Sequence, residues 1–212
     1  MYHETFTMLA SMRLVEILAT VTGILYVVLM TRETRASWVF GNISVTLVSI
    51  SCYEAGLYAD MVLQWIYFVI GIVGFVHWRR GKGKDAGKHL RISVANGRVR
   101  VLSAASVLVV WTIVHLLLTR FQGARSPFLD SLLFAASVVA TWHQARKYLD
   151  NWLIWIPVNL AYAGLYVERG LPMYSVLSLV FAALSIRGWR AWTSAMHRYE
   201  GEHDTTVQRN NP

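Results

Sequence analysis

Uncharged amides set among aromatic rings, at helical spacing inside long apolar runs, are the features of this chain that could do chemistry. The clearest set is Trp152, Trp155, Asn159, Tyr162 and Tyr166, at steps of 3, 4, 3 and 4, which place all five on one helical face. The Asn159 amide can donate and accept hydrogen bonds, and flat rings beside it can stack on an aromatic base or hold a cationic ring by cation–π attraction. A second set, Asp60, Gln64, Tyr67, Gly71, Gly74 and Trp78, runs at steps of 4, 3, 4, 3 and 4. Tyr174, Ser178, Phe181, Ser185, Gly188 and Trp192 repeat those steps further along, and Asn42, Thr46, Ser49 and Tyr53 share a face of another run. Hydroxyls and amides of this kind suit a neutral polyol such as a ribose. Packing competes with ligand binding throughout: regularly spaced glycines bring helices close, an amide can bridge two helices, and Trp152 has the place of an interfacial anchor. Gln64 and Tyr67 are harder to explain by packing. Pro157 cannot donate a backbone bond and should kink its helix or free a carbonyl.

Other chemistries find little support. The single cysteine, Cys52, excludes an intrachain disulfide framework and a cysteine-based zinc site. His77, His115 and His143 read as interfacial or packed side chains. The Gly81-Lys82-Gly83-Lys84 stretch lacks the spacing and the Ser/Thr of a phosphate loop and reads as a solvated basic linker touching anionic lipid. Asn42-Ile43-Ser44 is formally a glycosylation sequon but falls inside an apolar run. Lys82, Lys84, Lys88 and Lys147 lie in loops or at run ends, against a retinal Schiff base. No catalytic residue, metal or cofactor is expected, and the chain reads as a non-enzyme.

The elements that must position these residues are membrane helices. The chain has 212 residues, 55% hydrophobic and 15% charged, with a mean hydropathy of +0.41. Soluble domains carry roughly 25% charged residues, so an ordinary soluble surface is excluded, as is disorder with 9 Trp, 10 Tyr and 8 Phe. The net charge of +8 marks cytoplasmic loops in such a chain rather than a nucleic-acid partner. Seven apolar runs are long enough for a bilayer: 14–30, 38–57, 60–78, 101–119, 128–145, 151–168 and 171–190. The first reads as a retained helix rather than a cleaved signal. Sixteen of the 20 Lys and Arg fall on one side and four on the other, which predicts an outside N-terminus and a cytoplasmic C-terminus. Glu16, Glu54, Asp60, Asp130 and Glu168 gather at the outer ends, either as tolerated boundary acids or as a mouth that concentrates cations. No acid stands mid-span, against a proton relay or an ion-coupled carrier.

A shift of 114 positions superimposes residues 14–78 on 128–192, with identities that include Arg32/Arg146, Trp38/Trp152, Glu54/Glu168, Gly56/Gly170, Gly74/Gly188 and Trp78/Trp192. Each copy holds three spans, so the run at 101–119 restores direction and makes the copies parallel. The expected fold is a single all-α integral membrane domain over 1–212: seven transmembrane helices in a 3+1+3 parallel repeat, with a cytoplasmic tail at 193–212. Parallel repeats of this kind are a transporter architecture with a substrate site near the bilayer midplane.

Three segments then resemble the PnuC family of vitamin transporters. They are Leu57-Tyr58-Ala59-Asp60-Met61-Val62-Leu63-Gln64 leading to Gly74 and Trp78, Phe128-Leu129-Asp130-Ser131, and Arg146-Lys147-Tyr148 leading to Asn151-Trp152-Leu153-Ile154-Trp155 and Asn159. The resemblance covers roughly 14 to 192. It implies a SWEET-like fold in a bacterial inner membrane and facilitated diffusion of nicotinamide riboside, trapped inside by a cytoplasmic kinase. Gln64, Trp152, Trp155 and Asn159 are the contacts it carries over by position; Tyr67, Tyr162, Asn42 and Ser178 join them from the faces above. This chain departs from the pattern at Gly71 and Phe75, where an Asn and a Trp are expected, and at Arg187, where an Asn is expected. Thiamine or riboflavin, moved by similar proteins, are the alternative cargoes. The partners implied are a small-molecule vitamin, the lipid bilayer and the kinase, with oligomeric state left open, a homo-oligomer included.

Overall fold

The computed structural model describes the backbone of residues 2–54, 58–80, 90–120 and 126–209, and the side chains of 14–54, 61–79, 90–120 and 126–198. Features expected at 56–60, 80–88, Arg13, Arg125 and Arg209 lie outside the described side chains. Among the described residues seven helices follow one another: α1 (Tyr2–Thr31), α2 (Ala36–Glu54), α3 (Tyr58–Arg80), α4 (Gly97–Arg120), α5 (Pro127–Ala145), α6 (Asp150–Glu168) and α7 (Pro172–Arg209). Among the described residues the sole β-type pairing is an isolated bridge between Ser93 and Tyr148. Helices are what lipid imposes, because every backbone polar group must be satisfied within its own segment.

The helices are longer than the apolar runs. α7, expected to end near residue 190, continues through Arg209 over 38 residues, so most of the expected tail is helical. Trp192 and Ala195 stay buried beyond that boundary, and packing rather than hydropathy extends the helix there. Among the described residues four helices are long and apolar enough in themselves to cross a bilayer, over Leu14–Thr31, Ala36–Glu54, Met61–Arg79 and Gly97–Arg120. α5 to α7 turn many of their polar side chains inward: Ser131, Ser137, Thr141, His143, Gln144, Asn151, Asn159, Ser175, Ser178 and Ser185 are all buried. The surface left to lipid is correspondingly apolar.

Two compact units divide the chain, Met1–Gly83 and Lys84–Pro212. In the first, α2 packs against both α1 and α3. Ser44 donates from α2 to the Ala19 carbonyl of α1 (2.8 Å), and Gly41 leaves room for the Tyr26 ring. In the second, α4 packs on α5, and α6 packs against both α5 and α7.

The turns before α2 and α6 share one hydrogen-bond pattern at an offset of 114. Thr34 N–H bonds the Leu29 carbonyl and Tyr148 N–H the His143 carbonyl; Trp38 N–H bonds Arg35 and Trp152 N–H bonds Leu149. Glu33 and Lys147 hold the positive φ of each turn, 53° and 56°. A buried side chain closes both: Ser37 Oγ donates to the Thr34 carbonyl (2.7 Å) and Asn151 Nδ2 to the Tyr148 carbonyl (2.6 Å). The tryptophan that follows packs alike in each unit. Trp38 meets Trp78 edge-on at 5.7 Å and lies against Gly74; Trp152 meets Trp192 edge-on at 5.4 Å and lies against Gly188. A side chain at either glycine would enter the indole, so glycine is required there by space.

In the second unit, residues ahead of α4 are strapped to the α5–α6 turn. Ser93 exchanges backbone bonds with Lys147 and Leu149 (3.2 and 2.9 Å). The Asp150 carboxylate accepts from Ala95 N–H (2.8 Å) and from the Arg100 guanidinium (2.8–2.9 Å). Asn96 caps α4 through Val99 N–H (2.9 Å).

Candidate functional site

On α6 the helix runs unbroken through Pro157, which lies on its exposed side. Asn159 is 7% exposed and donates Nδ2 to the Trp155 carbonyl one turn back (2.8 Å). Its Oδ1 accepts no hydrogen bond among the described residues, so the side chain is oriented by its own helix and keeps a free acceptor. Trp155 and Tyr162, one turn to either side, are half-buried and pack at the edge of a core formed by Leu133, Val158 and Leu165. Tyr162 stacks on Tyr166 (5.8 Å, 17°), and Tyr166 meets Tyr174 of α7 (5.6 Å, 40°). A ladder of three rings therefore leads along α6 from Asn159. The α6–α7 turn closes it: Gly170 takes the left-handed φ of +71°, and Leu171 N–H bonds the Tyr166 carbonyl (2.8 Å).

Trp152 sits at 1% exposure in its nest against Gly188 and Trp192, and its Nε1 has no hydrogen-bond partner among the described residues. This placement gives it a wedging role between α6 and α7. Ser178 is 6% exposed and donates its hydroxyl to the Tyr174 carbonyl (2.9 Å), which leaves only its acceptor lone pairs.

In the first unit, Gln64 and Tyr67 are half-buried on one face of α3, and the Gln64 amide has no hydrogen-bond partner among the described residues. Asn42 lines a groove of about 420 Å³ between α2 and α3, with Trp38, Thr46, Phe68, Ile72 and Phe75. Its carboxamide lies against Gly71, where a Cβ would collide with Oδ1 and stand 3.0 Å from Cγ. Sequence spacing put Asn42 and Gly71 on two different faces; their contact depends on how α2 meets α3. Neither α2 nor α6 carries a Lys or Arg, and on α3 the first is Arg79.

Of the acids expected at a negatively charged mouth, Asp130 is neutralised: Arg169 donates to both its oxygens, at 2.6 and 2.7 Å. Glu16, Glu54 and Glu168 are exposed, and Asp60 lies outside the described side chains. The Asp130–Arg169 clamp joins the first turn of α5 to the end of α6 and was not apparent in the sequence, where the two stand 39 positions apart.

The family model described as nicotinamide mononucleotide transporter matches residues 13–194 of the chain. The chain belongs to this family, that of the PnuC transporters. It is 25% identical over 205 residues to the nicotinamide riboside transporter PnuC of Escherichia coli, covering 85% of each chain. It is 29% identical over 196 residues to that of Neisseria mucosa, covering 87% of this chain and 73% of the relative. The riboflavin/roseoflavin transporter RibM of Streptomyces davaonensis is 23% identical over 178 residues, with 84% and 83% covered. Among solved structures, the crystal structure of the vitamin B3 transporter PnuC superimposes with a TM-score of 0.69 at 27% identity, over 87% of this chain and 82% of that one.

Proposed function

We propose that this membrane transporter of a small vitamin carries nicotinamide riboside by facilitated diffusion in a bacterial inner membrane. The fold is read as a SWEET-like 3+1+3 repeat, with the N-terminus outside and the C-terminus in the cytoplasm. A cytoplasmic kinase that phosphorylates the cargo would keep the gradient inward, and no catalytic step is assigned to the chain. Nicotinamide riboside is named for several of the relatives that align over most of its length.

The observation that carries the reading is Asn159: a buried amide held by its own helix, with a free acceptor and aromatic rings one turn to either side. Trp155, Asn159 and Tyr162 are assigned to direct contact from α6, and Gln64, Tyr67 and Asn42 from α3 and α2. Trp152 and Ser178 support the contact set by fixing α6 and α7. With no cation on α2 or α6, or on α3 before Arg79, a phosphomonoester dianion would have no charged donors there. That favours the riboside over the mononucleotide in the family's description. Resemblance to RibM keeps riboflavin as a second cargo.

Calorimetric titration of the detergent-purified chain with nicotinamide riboside, nicotinamide mononucleotide, thiamine and riboflavin tests the cargo. Saturable binding of the riboside, with none of the mononucleotide, is expected. Asn159→Ala should weaken it about ten- to a hundredfold, the worth of one or two hydrogen bonds in a buried site. Uptake should persist after proton and sodium gradients are collapsed. Riboside binding unchanged in both Asn159→Ala and Trp155→Ala would remove the α6 site.

A further inference from the structure

The groove between α2 and α3 has a chemistry of its own. Trp38, Phe68 and Phe75 supply aromatic walls, and the polar surface is almost confined to Asn42 and Thr46. The Thr46 hydroxyl donates to the Asn42 backbone carbonyl (2.8 Å) and is satisfied within the helix. The Asn42 carboxamide has no intramolecular partner among the described residues. Gly71 makes room for it: a Cβ there would strike Oδ1 and stand 3.3 Å from Nδ2, so the amide is seated by the absence of a side chain on the facing helix. At about 420 Å³ the groove falls within the usual range of small-ligand sites, roughly 300–1,000 Å³.

We infer that this groove is a carboxamide-reading subsite, in which Asn42, seated over Gly71, pairs with a primary amide borne on a flat aromatic ring. The inference rests on the cargo proposed above and adds what selects it. Two primary carboxamides can form a pair of antiparallel N–H···O bonds, each giving one donor and one acceptor. A carboxylate at the same ring position offers acceptors only, so the Asn42 Oδ1 would face an anion. A wholly apolar occupant, such as an acyl chain, would cover the amide and leave it unpaired, at a cost that disfavours it. The rings complete the match, since a flat ring stacks on them whichever group it bears.

The test compares nicotinamide riboside with nicotinic acid riboside, the same molecule with a carboxylate for the amide, by calorimetry on the full chain. The wild type should prefer the amide by about tenfold or more, the consequence of leaving one buried polar group mispaired. Asn42→Leu should bring the ratio to near unity, mostly by weakening the amide ligand. Gly71→Ala should do the same by expelling the carboxamide. Asn159→Ala should weaken both ribosides alike and keep the ratio. An Asn42→Leu protein that elutes and melts as the wild type does and keeps the full preference overturns the subsite alone. A wild type that binds neither riboside overturns the cargo and the subsite together.

Discussion

Replacing Gly188 by alanine should loosen the second unit by a predictable amount. A Cβ there would lie 2.6 Å from Cε2, Cζ2 and Cη2 of Trp152, whereas carbon atoms in contact sit about 3.5–4.0 Å apart. The ring would have to retreat by about an ångström. It cannot do so cheaply, because Trp152 is 1% exposed and is held edge-on against Trp192, itself fully buried. α6 and α7 must separate instead. Overpacking of this kind costs about 1–3 kcal/mol, and two rigid indoles put this site towards the upper end. For chains of 150–250 residues each kcal/mol moves Tm by roughly 2–4 °C, so about 2–3 kcal/mol corresponds to a fall of roughly 4–12 °C. The assay is heating of the detergent-solubilised protein, followed by size-exclusion chromatography read by tryptophan fluorescence. Gly164→Ala is the control, since nothing stands within 4 Å of a Cβ at that α6 position. That variant should hold its Tm or gain, because alanine is favoured over glycine in a helix by about 0.5–1 kcal/mol. Adding Trp152→Phe to Gly188→Ala should recover part of the loss. A Gly188→Ala protein as stable as the wild type would refute the nesting of Trp152 against that glycine.

Two further outcomes concern the ion pairs. Asp130→Ala strands the Arg169 guanidinium, which is only 25% exposed and already has a buried Nε without a partner among the described residues. It should cost about 2 kcal/mol, read as a fall in Tm, and Asp130→Ala with Arg169→Met should restore much of it. If Asp130→Ala leaves Tm unchanged yet alters the salt dependence of uptake, Asp130 acts in the outer mouth rather than in a clamp. Asp150 separates two contributions. Asp150→Asn keeps an acceptor for Ala95 N–H, and with the Arg100 side chain 56% exposed the lost ion pair should cost at most about 1 kcal/mol. Asp150→Ala removes the acceptor as well and should cost more, about 1–2 kcal/mol beyond that. Equal losses in the two variants would show that the bond to Ala95 carries nothing.

Seven helices were legible in the sequence because lipid permits few alternatives and each run is bounded by charge. Their ends were not. The extension of α7 past residue 190 depends on Trp192 and Ala195 finding partners, which hydropathy does not record. Even spacing of Gly71, Gly74 and Gly188 announced close approach but could not name the approaching group. It is Asn42, Trp38 and Trp152 respectively. The Asp150 strap was hidden for another reason: its partners Ala95 and Arg100 stand 55 and 50 positions away, and nothing local marks them. On the candidate site, spacing placed Trp152, Trp155, Asn159 and Tyr162 on one face of α6, and the helix keeps that face. What spacing could not separate was the wedge from the rings beside the amide, since Trp152 and Trp155 are alike in type and differ only in burial.

α4 has no buried residue along its whole length, Gly97–Arg120, although it is the most apolar of the four spanning candidates. Beyond the Arg100–Asp150 pair at its start, its polar grips on the second unit are to α5, Ser103 to His143 and Trp111 to the Phe128 carbonyl. A helix so situated answers mainly to the thickness and fluidity of the surrounding lipid, and its apolar side chains can be exchanged for one another at small cost. Adaptation of this transporter to a colder, thicker or more saturated membrane should be written first in α4, as drift in its length and side-chain bulk, while the tryptophan nests stay fixed.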